Sequence, residues 1–332
     1  MLEKMGAMRT AYGEALVELG AANPRIVVVG ADTTDSLKSG MFGAKYGDRF
    51  FNLGIAEQNL IGVAAGLAFG GKIAYAGTYA IFVPGKCVDQ IRNMLCYADL
   101  DVKVVCSHAG ITVGPDGGSH EMVEDIALMR CVPHMRVVVP ADAVAVKGIV
   151  KAIANIPGPF YVRLTRGVVK GANTPIVYEN GFEYRLGKAN VLREGNDVAI
   201  FGCGIMVPEA LRAAESLSAK GVSATVIDLH TVKPIDEETI IKYAKKCGCA
   251  VSAEEHNVQG GMGSAVAEVL TDQYPIPLKR VGVNDTFGES GEAQELLNKY
   301  GLTAAHIEEA AGQAIGMKSD SFIRKNEGAG SN

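Results

Sequence analysis

Residues 102–110 read Val-Lys-Val-Val-Cys-Ser-His-Ala-Gly, an almost continuous apolar run that breaks into a short polar turn closed by glycine. Runs of this kind suit a strand covered on both faces, as in a parallel sheet. Working outward, the same pattern recurs at 25–29, 73–76, 136–139 and 160–164. Helical spacing fills the gaps at 60–69, 88–97, 120–129 and 141–155, after an amphipathic N-terminal helix within 1–20. Near 167–187 the periodicity loosens into Gly, Asn, Pro and Tyr, which reads as a linker. A second series follows, with strands at 197–201, 224–227, 250–253 and 278–281 alternating with helices at 208–220, 236–246 and 263–272. Helices at 293–299 and 303–315 complete it, and a polar, mobile tail is expected over 318–332. Repeated strand–helix alternation implies an α/β fold with two open, mostly parallel sheets, helices on both faces. The expected domains are 1–170 and 188–317, joined by 171–187; 332 residues suit two domains of roughly 150.

Composition narrows the class. A net charge of −5 argues against a general attraction to nucleic acid or anionic membrane. The most apolar stretch, 60–83, is interrupted by Gly70-Gly71-Lys72 and is not a membrane span. Of seven cysteines only Cys247 and Cys249 lie close together, a poor zinc pattern without a second pair. An odd count without a secretory signal points to reduced thiols in the cytoplasm.

Four clusters carry chemistry. Ala31-Asp32-Thr33-Thr34-Asp35-Ser36 follows the first strand. Gly54-Ile55-Ala56-Glu57-Gln58-Asn59 places one carboxylate, Glu57, at the mouth of a helix of small and apolar residues. A helix N-terminus favours an acid, yet apolar surroundings should desolvate this one and favour its protonated form. Tyr79 and Phe82 stand three apart in Gly77-Thr78-Tyr79-Ala80-Ile81-Phe82, in a chain without Trp. The fourth cluster joins Ser107-His108-Ala109-Gly110 to Gly114-Pro115-Asp116-Gly117-Gly118-Ser119-His120. Each also has a plain structural reading: Asx turns, core aromatics, a Gly-Pro turn. All four lie just beyond strand ends, however, and in a parallel sheet those ends share one edge, where ligands bind.

The ordered motifs Asp-x-x-x-Ser, Gly-Ile-x-Glu, Gly-Thr-aromatic-x-x-Phe, His-x-Gly-x-x-x-Gly-x-Asp-Gly-x-x-His and Leu-Thr-Arg resemble the C-terminal section of transketolase. The likeness covers essentially the whole chain and continues through 228–234 and Glu254-Glu255-His256-Asn257. It implies a pyrimidine-binding domain for thiamine diphosphate followed by the family's C-terminal domain. No Gly-Asp-Gly followed by Asn-Asn occurs. The resemblance therefore implies a split transketolase, in which the diphosphate and a Mg²⁺ or Ca²⁺ ion are held by a separate N-terminal subunit carrying those motifs. Self-association into a dimer or α2β2 heterotetramer is expected with it.

By the same resemblance Glu57 hydrogen-bonds the aminopyrimidine of the cofactor, and Tyr79 and Phe82 stack against that ring. Gly85 stands where the family often has a further aromatic. Asp32 matches a residue near the thiazolium and the subunit boundary. Ser36, His108 and Arg166 match residues around the substrate phosphate, and Asp116 and His120 match positions that contact sugar hydroxyls and shuttle protons. The implied catalytic residues are Glu57, His108 and His120, and a His titrating near neutrality suits proton transfer. The implied reaction moves a two-carbon ketol unit from a ketose phosphate to an aldose phosphate.

The second series is quieter. Gly202-Cys203-Gly204 lacks a third glycine. Gly260-Gly261-Met262-Gly263 reads first as a turn and second as an anion seat; His230 and His256 read as structural or interfacial. The readings that compete are a 1-deoxyxylulose-5-phosphate synthase, a 2-oxo-acid dehydrogenase β subunit and a catalytically silent assembly subunit.

Overall fold

The computed structural model describes residues 2–167 and 173–329, so the first two positions of the expected linker, 171 and 172, lie outside the described residues. The chain forms two α/β units, as the alternation predicts, with sheets of seven and five strands where the sequence pattern marks five and four.

The first sheet runs in the order Thr231–Lys233, Arg136–Val138, Phe160–Arg163, Val102–Cys106, Ile73–Gly77, Ile26–Gly30, Phe50–Asn52. All pairs are parallel except the first, which is antiparallel. Side chains of one strand point alternately to the two faces. Thus Ile26 and Val28 pack with Tyr12, Leu16 and Ile149 of helices Met8–Ala22 and Ala143–Ile153. Val27 and Val29 pack on the other face with Leu60 and Ala64 of helix Glu57–Phe69 and with Ile91. Strand Ile26–Gly30 lies next to Ile73–Gly77, but the chain leaves them toward opposite sides, to Phe50–Asn52 and to Val102–Cys106. That divergence is a topological switch point, and the crevice outside such strand ends is where ligands settle.

The second sheet orders Leu278–Val283, Ala250–Asn257, Val198–Gly202, Ala224–Asp228, Asn190–Arg193, the last antiparallel. Helices Met206–Ala219 and Ala304–Ala329 cover one face, Glu237–Cys247 and Met262–Gln273 the other. The segment from 318 onward, expected as a tail, continues the last helix as far as Ala329; residues 330–332 lie outside the described residues. No helix among the described residues is long and apolar enough to cross a membrane.

Several elements differ from the sequence expectation. The helix expected at 120–129 begins at Asp125, because Gly110 N–H donates to the Met122 carbonyl (2.7 Å) and keeps that stretch extended. The helix expected at 88–97 winds wide over Ile91–Cys96. Strands Phe50–Asn52, Asn190–Arg193 and Thr231–Lys233 were not foreseen.

Candidate active site

At the switch point two loops leave side by side. Thr33 and Thr78 hydroxyls bond across them at 2.7 Å, and the Asp32 amide donates to Asn52 Oδ1 (2.9 Å). Asp32 is exposed and holds φ +60°, a left-handed turn that Asp tolerates better than most residues. A side chain at Gly77 would overlap the Val105 carbonyl, so only glycine lets these strand ends approach. Pairing continues past the strands: Ser107 N–H donates to Thr78 O (3.1 Å) and Ala80 N–H to Ser107 O (2.7 Å).

That extension sets two rings in register. Tyr79 and His108 stack with centroids 3.8 Å apart. Phe82 lies 5.6 Å from Tyr79 at only 5°, and His120 meets Phe82 edge-on at 5.6 Å. The two histidines expected to act together are thus joined through the two expected stacking aromatics. Burial, then the charges of Arg9, Arg166 and His120, pushes His108 down to about 3. It stays neutral at pH 7, unlike the neutrality-titrating group expected of this loop. Its Nδ1 pairs with the Ser107 hydroxyl at 2.8 Å, and His120 Nδ1 with the Ser119 hydroxyl at 3.0 Å.

Arg166 Nη1 donates to the Val113 carbonyl (2.6 Å), on the turn Ile111–Asp116 whose last residue, Asp116, is exposed. Ser36 enters through its carbonyl, which accepts from Arg9 Nη1 at 2.7 Å. Burial and then the Arg166 charge lower Arg9. A guanidinium so placed favours an anion. Arg9 escaped the sequence reading because its partner is 27 positions away, and nothing in an amphipathic helix marks one arginine as functional.

Glu57 opens helix Glu57–Phe69, and its side chain is only 9% exposed. Its neighbours in sequence predict apolar surroundings, but a cation stands beside it. Lys86 Nζ lies 3.4 Å from Glu57 Oε1 and 4.6 Å from the centroid of Phe82. Gln58 Nε2 donates to the Lys86 carbonyl (3.2 Å), tying that loop to the helix. The Glu57 carboxylate therefore touches the same ammonium that covers the Phe82 ring.

The second domain holds the quieter motifs. Glu254 accepts from Met262 N–H (2.6 Å) and Gly263 N–H (2.8 Å), so the Gly260–Gly263 turn already has its own carboxylate and is no vacant anion seat. His256 is buried between Asp125 and Glu254 at the domain seam. His230 is buried against Phe182 and Tyr184. Among the described residues no group of three or more His, Cys, Asp or Glu is arranged to hold a metal ion.

Residues 4–171 match the family model of the transketolase pyrimidine binding domain, and 187–307 that of the transketolase C-terminal domain. The chain belongs to the transketolase family. It is 47% identical over 303 residues to a Methanocaldococcus jannaschii protein named for the transketolase C-terminal section, covering 90% of this chain and 93% of that one. It is 42% identical to a 6-deoxy-6-sulfo-D-fructose transketolase subunit of Clostridium sp., covering 94% and 95% of the two chains. Among solved structures it is similar to a split-gene transketolase in an inactive β4 tetramer. That match has a TM-score of 0.87 and 50% identity, and covers 94% of this chain and 99% of the other. As a transketolase C-terminal section, the chain belongs to a family that depends on thiamine diphosphate.

Proposed function

We propose that the chain is the C-terminal subunit of a split transketolase, transferring a two-carbon ketol unit from a ketose phosphate to an aldose phosphate. The observation that carries this reading is Glu57, buried at a helix start and linked through Lys86 to the ring face of Phe82. A flat, nitrogen-bearing ring fits such a place. The near-parallel Tyr79 and Phe82 rings offer stacking worth roughly 0.5–1.5 kcal/mol beyond area buried. The carboxyl group can hold a proton at a ring nitrogen. When bound, thiamine diphosphate supplies the nucleophilic carbon and electron sink of ketol transfer; the protein supplies orientation and electrostatics.

The remaining residues divide the substrate between them. Arg9, bonded to the Ser36 carbonyl, and Arg166, bonded to the Val113 carbonyl, take the phosphate, since a planar guanidinium can hold it bidentately. Neutral His108 donates or accepts one hydrogen bond at a sugar oxygen. His120 and Asp116 pass protons to and from the sugar hydroxyls in this reading. Asp32 lies at the boundary with the partner chain. The diphosphate and its Mg²⁺ or Ca²⁺ ion belong to an N-terminal subunit carrying Gly-Asp-Gly and Asn-Asn.

Ile55 and Phe69 at the two ends of the Glu57 helix, and Tyr97 on the adjacent helix, are 80%, 86% and 84% exposed. Exposed apolar side chains at both ends of this helix support assembly with further chains, as a dimer or α2β2 heterotetramer. The related split-gene protein solved as an inactive tetramer supports a chain that is silent alone. We place the assembly in the cytoplasm.

The test mixes this chain with its N-terminal partner, thiamine diphosphate and Mg²⁺, and assays ketol transfer from xylulose 5-phosphate. Transfer only in the mixture is expected. Turnover of pyruvate instead would favour a synthase or 2-oxo-acid dehydrogenase, and no turnover of either a silent subunit.

A further inference from the structure

We propose that the C-terminal domain sets the loop bearing His108, Asp116 and His120, and that Glu255 is the positioning residue through which it does so. This role goes beyond assembly and rests on the functional reading above.

Glu255 lies within strand Ala250–Asn257 of the second domain and is 3% exposed. Its Oε1 accepts the Thr112 N–H at 2.7 Å, from a residue 143 positions earlier. Two residues before Thr112, Gly110 holds φ +80°, and any Cβ there would overlap the Glu255 carboxyl group. The loop therefore rests directly on this side chain. Its other moorings come from the first domain: Gly110 N–H on the Met122 carbonyl, the Thr112–Thr165 hydroxyl pair at 2.6 Å, and Arg166 on Val113 O. Glu255 is the carboxylate that reaches the loop from the second domain.

The far end of the loop meets the same domain. A Cβ on Gly118 would press on the Gly288 carbonyl at 2.5 Å, and one on Gly117 on the Ser290 hydroxyl at 2.5 Å. Helix Ala293–Lys299 packs against the turn Ile111–Asp116. The segment from His108 to His120 is thus fixed at both ends by second-domain atoms.

Burying Glu255 carries an electrostatic cost. Burial pushes its carboxyl group up to about 7, against the pull of Arg163, whose Nη1 stands 4.0 Å from Oε2. Glu121, also buried, is pushed to about 7 by burial and then by Glu255. Two acids facing each other across the seam, with Asp125 and Glu289 close by, cost more than an apolar pair would. What the Glu255 carboxylate provides in return is one directed acceptor for Thr112.

Hydrogen exchange and kinetics on the assembled complex test this with Glu255→Ala, Glu255→Gln and Gly110→Ala. In Glu255→Ala the amides of 110–120 should exchange about tenfold faster while helix Met8–Ala22 and strand Val198–Gly202 are unchanged. Catalytic efficiency should fall in parallel. Glu255→Gln retains an acceptor oxygen and should restore both. Gly110→Ala keeps the carboxylate but lifts the loop from it, and should loosen the same amides if Glu255→Ala does not fold. Unchanged exchange at 110–120, or faster exchange spread over the whole second domain, overturns the proposal. Exchange needs no turnover, so a complex without ketol transfer sinks the functional reading alone and leaves this contrast to decide.

Discussion

His108 is a histidine that the fold keeps uncharged. Its position after a strand end is plain in the sequence, but its charge state is not. That state depends first on burial and then on Arg9 and Arg166, which come from the first helix and from just after strand Phe160–Arg163. In NMR titration of the chain its ring should titrate near 3, and a midpoint near 6.5 would show that the ring is neither buried nor reached by the two guanidiniums. The sign for stability follows: between 6.5 and about 3 the unfolded chain binds the extra proton, so this residue's contribution is lost as pH falls through that window. At Glu57, replacement by Gln preserves shape and removes the ionisable carboxyl group. Turnover of the assembled enzyme should drop by roughly 10²–10⁴-fold with the melting temperature nearly unchanged. Near-normal turnover would take Glu57 out of the chemistry. The order and spacing of the motifs made Glu57, Tyr79, Phe82, His108 and His120 legible. Lys86 and Arg9 were not, because each is defined by a partner far along the chain.

Among elements, those legible in the sequence are long apolar runs and strongly periodic helices. Those missed are short strands such as Phe50–Asn52 and Thr231–Lys233, whose three residues carry too little pattern to stand out. The late start of helix Asp125–Cys131 also reflects tertiary pairing. At that helix start Asp125 accepts from Arg163 Nε (2.8 Å) and the Tyr161 hydroxyl (2.6 Å), all of them buried. Arg163 Nη2 also donates to the Glu255 carbonyl at 2.9 Å, so one side chain ties a strand, a helix and the second domain. Arg163→Met should strand Asp125 without its cation and cost about 3–5 kcal/mol, read from the denaturant midpoint. A loss below about 1 kcal/mol would mean that water or a rearranged partner replaces the guanidinium.

At the scale of the molecule, three buried acids sit uncomfortably at neutral pH. Burial raises Glu121 and Glu255 to about 7 and Asp228 to about 8. Raised folded-state values mean that the folded chain holds protons the unfolded chain has released. Their contribution is therefore complete below the ordinary carboxylate range and is lost progressively as pH rises from that range to about 7 to 8. The melting temperature should decline across that interval, and Glu121→Gln should flatten the decline; an equally steep fall in the variant would place its cause elsewhere. The two-layer alternation was legible from end to end, but the exchange of a strand between layers was not. Thr231–Lys233 follows the second domain's strand Ala224–Asp228 closely in sequence yet completes the first domain's sheet, antiparallel to Arg136–Val138. The two halves are consequently woven rather than strung together. A scissor cut between them would leave residues 136–138 with a naked hydrogen-bonding edge, ready to recruit a stranger's strand and clump.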